Sequence, residues 1–347
     1  MGSPYPYFVS DAMSQREQKI QAGIEALDQW LQDLMHRGLA SVQSLPDSVW
    51  EDMAARMVDA QAPGLARRLR DCSRIPYSGE GWGERLLVAL GKLYLLVQGY
   101  QGLATLPTGL QAEVRTQIGW TLKKDEVLAI AHSSTLSPNP IPSPHPIPSA
   151  LEQPLPWQQA DQWQVLGIRV LEDDQLWSQR VWLWGIGSDR PALLLNFSYG
   201  SPRFDHQGIT LVPGIILPAT LAFYPSSYPL RSLIQEVSGS AKPMGEFACG
   251  RELGGAIAQF NQAISHNPWL DRMPLIFSAV IPVKIHENWW MINHHAQGLP
   301  IHPQFPQQWE LLAISGGAEV AIAAEWDGTY LWPLSVSVDQ RLILLAG

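Results

Sequence analysis

Apolar residues recur at every third or fourth position through the first part of the chain. Ile20, Ile24, Leu27, Leu31, Leu34 and Met35 keep that spacing and predict an amphipathic helix. Ser14 and Glu17 form an S-x-x-E box that would open it, hydroxyl and carboxylate each satisfying a free amide. Gly38 would close it, because glycine accepts the left-handed closing conformation. A second box, Ser48 to Glu51, predicts a helix carrying Trp50, Met53, Ala54, Met57 and Val58. Pro63 suits the first turn of a further helix, where its missing N–H costs nothing. Residues 86–100, 103–118 and 123–131 complete an all-α bundle that the pattern assigns to 1–132.

The period changes after a break. Residues 133–156 hold eight prolines, and alternating proline fixes φ and removes donors, so an extended, semi-rigid connector is expected there. A proline-rich recognition motif is the alternative. From Trp157 the period moves towards two, and residues 162–172, 176–184, 192–199, 209–217 and 220–224 are predicted strands. Residues 187–190 suit a hairpin turn between two of them. One helix is predicted at 252–265, then strands at 277–285, 289–294 and 309–314. Strands at 319–325 and 329–338 flank Asp327-Gly328, a dipeptide that favours a tight hairpin turn. The fold class expected is α+β: an N-terminal all-α helical bundle, a proline-rich linker, and a C-terminal mainly-β domain at 157–347, a curved sheet or barrel with one covering helix.

Composition supports two cores. The 347 residues are 46% hydrophobic and only 16% charged, and fifteen are tryptophan. The formal charge of −9 argues against a general nucleic-acid binder. Residues 1–132 carry 13 basic and 15 acidic side chains, and residues 133–347 carry 10 and 17, so a basic patch is expected only in the first part. Two cysteines, Cys72 and Cys249, do not make a disulfide framework and fit a reducing compartment. No basic region followed by an apolar stretch opens the sequence, and the long uncharged run between Asp205 and Arg231 is interrupted by four prolines. A cytoplasmic location with no membrane span is expected.

Several blocks resemble the C-terminal region of bacterial SWIM zinc-finger family proteins: ALDQWLQDLMHRGLA at 26–40, WEDMAARMVDAQAPGLARRLR at 50–70, DQWQVLGIRV at 161–170, QRVWLWG at 179–185 and LAFYPSSYPLRSL at 221–233. RMVDAQAPGLA at 56–66 is the most specific of them. The family's zinc finger needs C-x-C and a distant C-x-H as four tetrahedral ligands, and this sequence contains neither. The resemblance therefore carries over no zinc and no finger-mediated nucleic-acid contact. It implies assembly work with protein partners, among them an AAA-type ATPase and a von Willebrand factor A protein.

Candidate chemistry is sparse. His286-Glu287, His294-His295 and His302 gather in one stretch, but H-E-x-x-H needs its histidines one helical turn apart and this segment is strand-like. In an extended strand His286 and His294 would lie roughly 26 Å apart, and only a hairpin would join them. Arg67, Arg68, Arg70 and Arg74 form the one basic cluster, a weak nucleic-acid candidate set against a solvated helix face. Arg56, Asp59 and Gln61 belong to the specific block; a buried structural role, with an Arg56–Asp59 ion pair, is weighed there against partner contact. Tyr224, Tyr228 and Arg231 form the most site-like feature of the β part, a rigid aromatic and proline surface with one cation, against a loop packed under the sheet. Nucleophile elbows and phosphate loops are missing from the sequence.

The leading expectation is a non-enzymatic protein-interaction component of a bacterial assembly, without metal or cofactor. An enzyme or ligand-binding protein using His294, His295 and Glu287 in a β-domain pocket is the alternative. Nucleic-acid binding through the arginine cluster is the weaker one.

Overall fold

A computed structural model describes residues 11–133, 155–173, 175–204, 209 and 211–345. Most of the proline-rich segment, 134–154, lies outside the described residues. The chain divides into two compact units, Met1–Leu122 and Lys123–Gly347.

The first unit is built from α1 (Asp11–Arg37), α2 (Asp47–Asp59), α3 (Pro63–Arg74), α4 (Trp82–Gln101) and α5 (Thr108–Ile118), with short 3-10 turns at Leu39–Ser44, Ile75–Tyr77 and Leu103–Thr105. The spaced residues Ile20, Ile24, Leu27, Leu31 and Leu34 are buried, as an apolar stripe must be, whereas Met35 is half exposed. Gly38, at φ 82, stops α1, and Pro63 opens α3. The two capping boxes are displaced. α1 already runs from Asp11, which puts Ser14 inside it, and α2 begins at Asp47 with Pro46 as its cap residue.

Small residues let the helices approach. A Cβ on Gly23 would lie 2.5 Å from Ala60 Cβ, so α1 and α2 touch nearly backbone to backbone. A Cβ on Gly64 would lie 2.1 Å from the Gln117 carbonyl oxygen, which seats α3 on the end of α5. The block 56–66 is specific for this reason: Met57, Ala60, Ala62, Leu65 and Ala66 are its buried members.

The second unit opens with α6 (Lys124–Ser133), which rests on a strand of this unit, β4 (Ile215–Phe223). The strands β1 (Gln158–Asp173), β2 (Leu176–Gly185), β3 (Arg190–Tyr199), β4 and β5 (Arg231–Val237) follow one another in the order β1-β2-β3-β5-β4. β4 pairs again with β1, so the sheet closes into a five-stranded barrel. Among the described barrel strands only β3 and β5 pair in parallel. A two-residue strand, β6 (Lys242–Pro243), borders β4. Trp163, Val165, Val181, Leu183, Leu194, Leu221 and Phe223 fill the barrel, and the Trp163 indole donates to Ala219 O at 3.0 Å.

A second sheet orders β12 (Arg341–Leu344), β11 (Leu331–Val338), β10 (Val320–Trp326), β7 (Met273–Ile285), β8 (Asn288–Ile292) and β9 (Gly298–Pro300). On one face it carries α7 (Leu253–His266) and α8 (Gln308–Ser315), around Phe260, Phe277, Leu311 and Trp326. Its other face packs on the outside of the barrel, where Trp182, Trp184 and Leu166 meet Ile276, Ala323 and Leu334. Gly167 sits at a bulge of β1 there, and a Cβ on it would lie 2.6 Å from Leu334 Cβ.

Three predicted elements are corrected. Residues 309–314 are helical, because a short apolar run has no period to distinguish strand from buried helix. Residues 209–217 and 220–224 contribute to a single strand, β4, that runs through Pro218. Asp327-Gly328 belongs to a four-residue loop, in which Asp327 Oδ1 accepts from the backbone N–H groups of Thr329 and Tyr330. The sheet is covered by two helices rather than one.

Candidate functional site

His286, the His294-His295 pair and His302 do not converge on one site. His286 and Glu287 form the turn of the β7–β8 hairpin, with His286 at φ 55 and Glu287 paired to Lys284. His294 and His295 follow the far end of β8, stacked at 3.9 Å between ring centroids and both exposed. The hairpin that would have joined His286 to His294 instead folds at His286 itself, so β8 separates them. His302 leaves β9 and packs against Tyr330 and Trp332. Among the described residues, no three His, Cys, Asp or Glu side chains stand close enough to hold a metal ion. A shallow hollow of about 280 Å³ beside β8 takes in His286, Asn288 and Trp290, with neither His294 nor His295 in its wall.

In the helical unit Arg56, Asp59 and Gln61 are all exposed, which corrects the buried role expected of them. Among the described residues Arg56 and Asp59 form no ion pair. Gln61 has φ 60, and its N–H donates to Val58 O at 2.9 Å, turning the chain between α2 and α3. The arginine cluster is divided: Arg68 donates to Gln117 and Arg70 forks onto Glu51, while Arg67 and Arg74 face solvent. Glu51 is held below its usual range by the bond from Arg70.

In the β unit Tyr224 lies under the Arg231 guanidinium at 4.3 Å, both half-buried. Tyr228 is turned inward, packed against the core of the second sheet with its hydroxyl 4.0 Å from Met273 Sδ. Burial pushes its phenol up to about 12. Arg190, buried over the Phe223 ring at 3.6 Å, donates to Pro156 O and Pro229 O and fixes the segment from below. The aromatic–proline stretch is thus largely a packed loop, the structural alternative named for it.

The densest polar site is one the motif search does not find. β10 alternates Val320, Ile322 and Ala324 towards the helices, and Glu325 projects to the barrel side at 1% exposure. Burying a carboxylate costs several kcal/mol unless its lone pairs are filled. Here they are filled: Arg169 Nη1 donates at 2.8 Å, Arg272 Nη1 at 3.1 Å and Arg180 Nη1 at 3.3 Å to Oε1, and the Trp182 indole at 2.7 Å to Oε2. Arg169 and Arg180 are direct cross-strand neighbours on β1 and β2, a repulsive pairing that Glu325 converts into attraction. Arg169 also lies over the Trp332 ring at 3.7 Å.

Burial alone would raise the Glu325 pKa, but Arg180, Arg169 and Arg272 overcome it and hold the group below its usual range. Ionised at neutral pH and closed from solvent, Glu325 is an ion lock between barrel and sheet, with no proton to lend to a reaction. Its sequence signal was a single charge inside each of several apolar strands (AIAAEW, LGIRV, QRVWLW), where alternation leaves no solvated side for it.

Residues 15–118 match the family model of the SWIM-associated four-helix bundle domain. The helical unit is thus similar to the SWIM-associated domain over those residues. The match takes in the blocks at 26–40 and 50–70, and those at 161–170, 179–185 and 221–233 lie beyond it. No curated protein and no solved structure matches the chain. No helix among the described residues is long and apolar enough to cross a membrane.

Proposed function

We propose that the chain works as a non-enzymatic protein-interaction component, and that the overhanging end of the β2–β3 hairpin supplies a contact surface. The supporting observation is a continuous outer face. Cross-strand pairs put Trp182 with Leu193, Arg180 with Leu195, Ser178 with Phe197 and Leu176 with Tyr199 on one side of the sheet. Trp182 is buried against the second sheet and Arg180 reaches Glu325, so the face begins as packed interface. Beyond Arg180 it runs out from under its cover: Leu176 is 43% exposed, Phe197 54% and Tyr199 76%. Exposed aromatics at the rim of a rigid sheet bury much area at little entropic cost when a partner docks.

The SWIM-associated helical domain supports the same reading. The resemblance of the sequence blocks extends it to a bacterial cytoplasmic assembly containing an AAA-type ATPase and a von Willebrand factor A protein. The test is a pull-down from the native cell with the full chain and with a Phe197→Ser/Tyr199→Ser variant. The variant should keep the parent's melting temperature and lose the co-purifying protein. An unchanged partner profile would defeat the proposal for this surface, and turnover of a small molecule by the pure chain would defeat it altogether.

A further inference from the structure

The α4 helix is apolar on both sides. Leu86, Leu90, Leu93, Leu96 and Val97 are buried in the bundle, yet Leu87, Val88, Tyr94 and Leu95 are 50%, 61%, 43% and 47% exposed. A helix apolar all round belongs in an interior. At 3.6 residues per turn the four exposed side chains lie within about 60° of Gly91, two before it and two after it.

Gly91 is itself unexplained among the described residues. Glycine weakens a helix interior, so its presence there asks for a reason. Gly23 and Gly64 have one, since a Cβ on either would collide with a neighbouring helix. A Cβ on Gly91 would meet nothing within 4 Å among the described residues. The open space lies in front of the helix, at the centre of its exposed apolar face.

We propose that α4 packs against α4 of a second copy of this chain, antiparallel, across a two-fold axis at Gly91. The occupant is a second copy because the face is self-complementary about that residue. An isologous contact matches position 91−k of one copy with 91+k of the other. Leu87 then meets Leu95, Val88 meets Tyr94, and at the ends Glu84 meets Gln98, so no like charges oppose one another. Gly91 against Gly91 lets the backbones close. Arg85 and Lys92 stand about 120° and 100° from Gly91 and flank the contact rather than enter it. Arg85 is already bound to Ser78 and to the Glu80 carbonyl. This contact belongs to the helical unit and Leu176, Phe197 and Tyr199 to the second, so the proposal stands or falls separately from the role given to them.

Sedimentation of the full chain over a concentration series, with circular dichroism of each variant, tests this. A reversible monomer–dimer equilibrium is expected. Leu87→Glu and Leu95→Lys should each give monomers of unchanged helix content, and Gly91→Leu should do the same. Mixing Leu87→Glu with Leu95→Lys should restore a dimer, because antiparallel register sets the new carboxylate against the new ammonium. Mixing Leu87→Glu with Leu87→Lys should not. The Phe197→Ser/Tyr199→Ser variant should dimerise like the parent. A chain that stays monomeric throughout, a dimer indifferent to these substitutions, or rescue by the wrong pair overturns the proposal. Capture of a different protein by the α4 face of a monomeric chain overturns it as well.

Discussion

The indole N–H of Trp182 on β2 donates to Glu325 Oε2 on β10 at 2.7 Å, across the junction of barrel and sheet. Both residues are almost fully buried. The bond fills one carboxylate oxygen with a neutral donor and leaves the other to Arg169, Arg180 and Arg272. Geometry thereby divides the acceptor capacity of one side chain between the β1–β2 hairpin and Arg272, segments far apart in sequence from each other and from β10.

Removing that charge should be costly. Glu325→Gln keeps a carbonyl oxygen but leaves the buried Arg169 and half-buried Arg180 without a counter-ion. A loss of about 3–5 kcal/mol is expected, as for other buried pairs broken on one side. Replacing Glu325, Arg169 and Arg180 together by leucine should recover much of it, since the penalty lies in the unpaired charges. Urea unfolding followed by tryptophan fluorescence measures both. A Glu325→Gln variant as stable as the parent would show that the cluster carries no lock.

Acid should loosen the second unit in two stages. Burial holds His302 below its ordinary 6.5, with Asp327 opposing and Arg169 and Arg272 adding to the effect. A base whose folded pKa is depressed contributes stability above its unfolded pKa and loses it as pH falls through the folded one. Glu325 and Asp161 are held below 4.5 and 3.8, their burial outweighed by arginines in one case and by Ser188, Gly187 and Gln162 donors in the other. Their contributions are likewise present above the unfolded values and lost on further acidification. The melting temperature should therefore begin to fall below about pH 6.5 and drop steeply under about pH 4.5. His302→Gln should flatten the first stage alone, as read by calorimetry against pH.

Most elements were legible because they carry their own period. α1, α7 and the paired strands β1, β2 and β10 carry a readable apolar pattern in sequence, and α4 is a long apolar run of helical length. The boundaries that failed were those with no period to read, as at α8, or with a proline that the strand accommodates, as at Pro218. The barrel's closure was hidden, because the β1–β4 pairing joins Gln158 to Ala222 across some sixty residues. The ion lock was missed. Glu325, Arg169 and Arg180 are each a charge in an apolar strand, a signal the sequence reading did not single out, and their meeting depends on how two sheets stack, which no local pattern encodes.

The glycines should separate into two kinds. Gly64→Ala would press a methyl group onto the Gln117 carbonyl and should cost at least about 1–3 kcal/mol, as overpacked sites do. Gly91→Ala meets nothing among the described residues and should stabilise the dissociated chain by up to about 1 kcal/mol. Thermal unfolding at low protein concentration compares them. Equal effects of the same sign would contradict the close approach seen at Gly64.

The two thiols offer a reporter for each unit. Cys72, 3% exposed on α3, has its thiol pushed up to about 12, chiefly by burial and further by Asp71, with Arg68 opposing. Thiolate is the nucleophile, and at pH 8 only about one Cys72 in ten thousand would be ionised even if reagent reached it. Cys249 is half-buried, its thiol raised by burial and by Asp189, with Sγ 3.9 Å from Ile186 O. A chromogenic disulfide should therefore titrate one slow thiol in the native chain and two after unfolding. In graded urea the Cys72 rate should follow opening of the helical unit alone. Glu325→Gln, which weakens the barrel–sheet junction near Cys249, should speed the Cys249 reaction and leave the Cys72 rate unchanged. Two fast thiols in the native chain would contradict the packing of α3. Acceleration of Cys72 by Glu325→Gln would show that the two units open together.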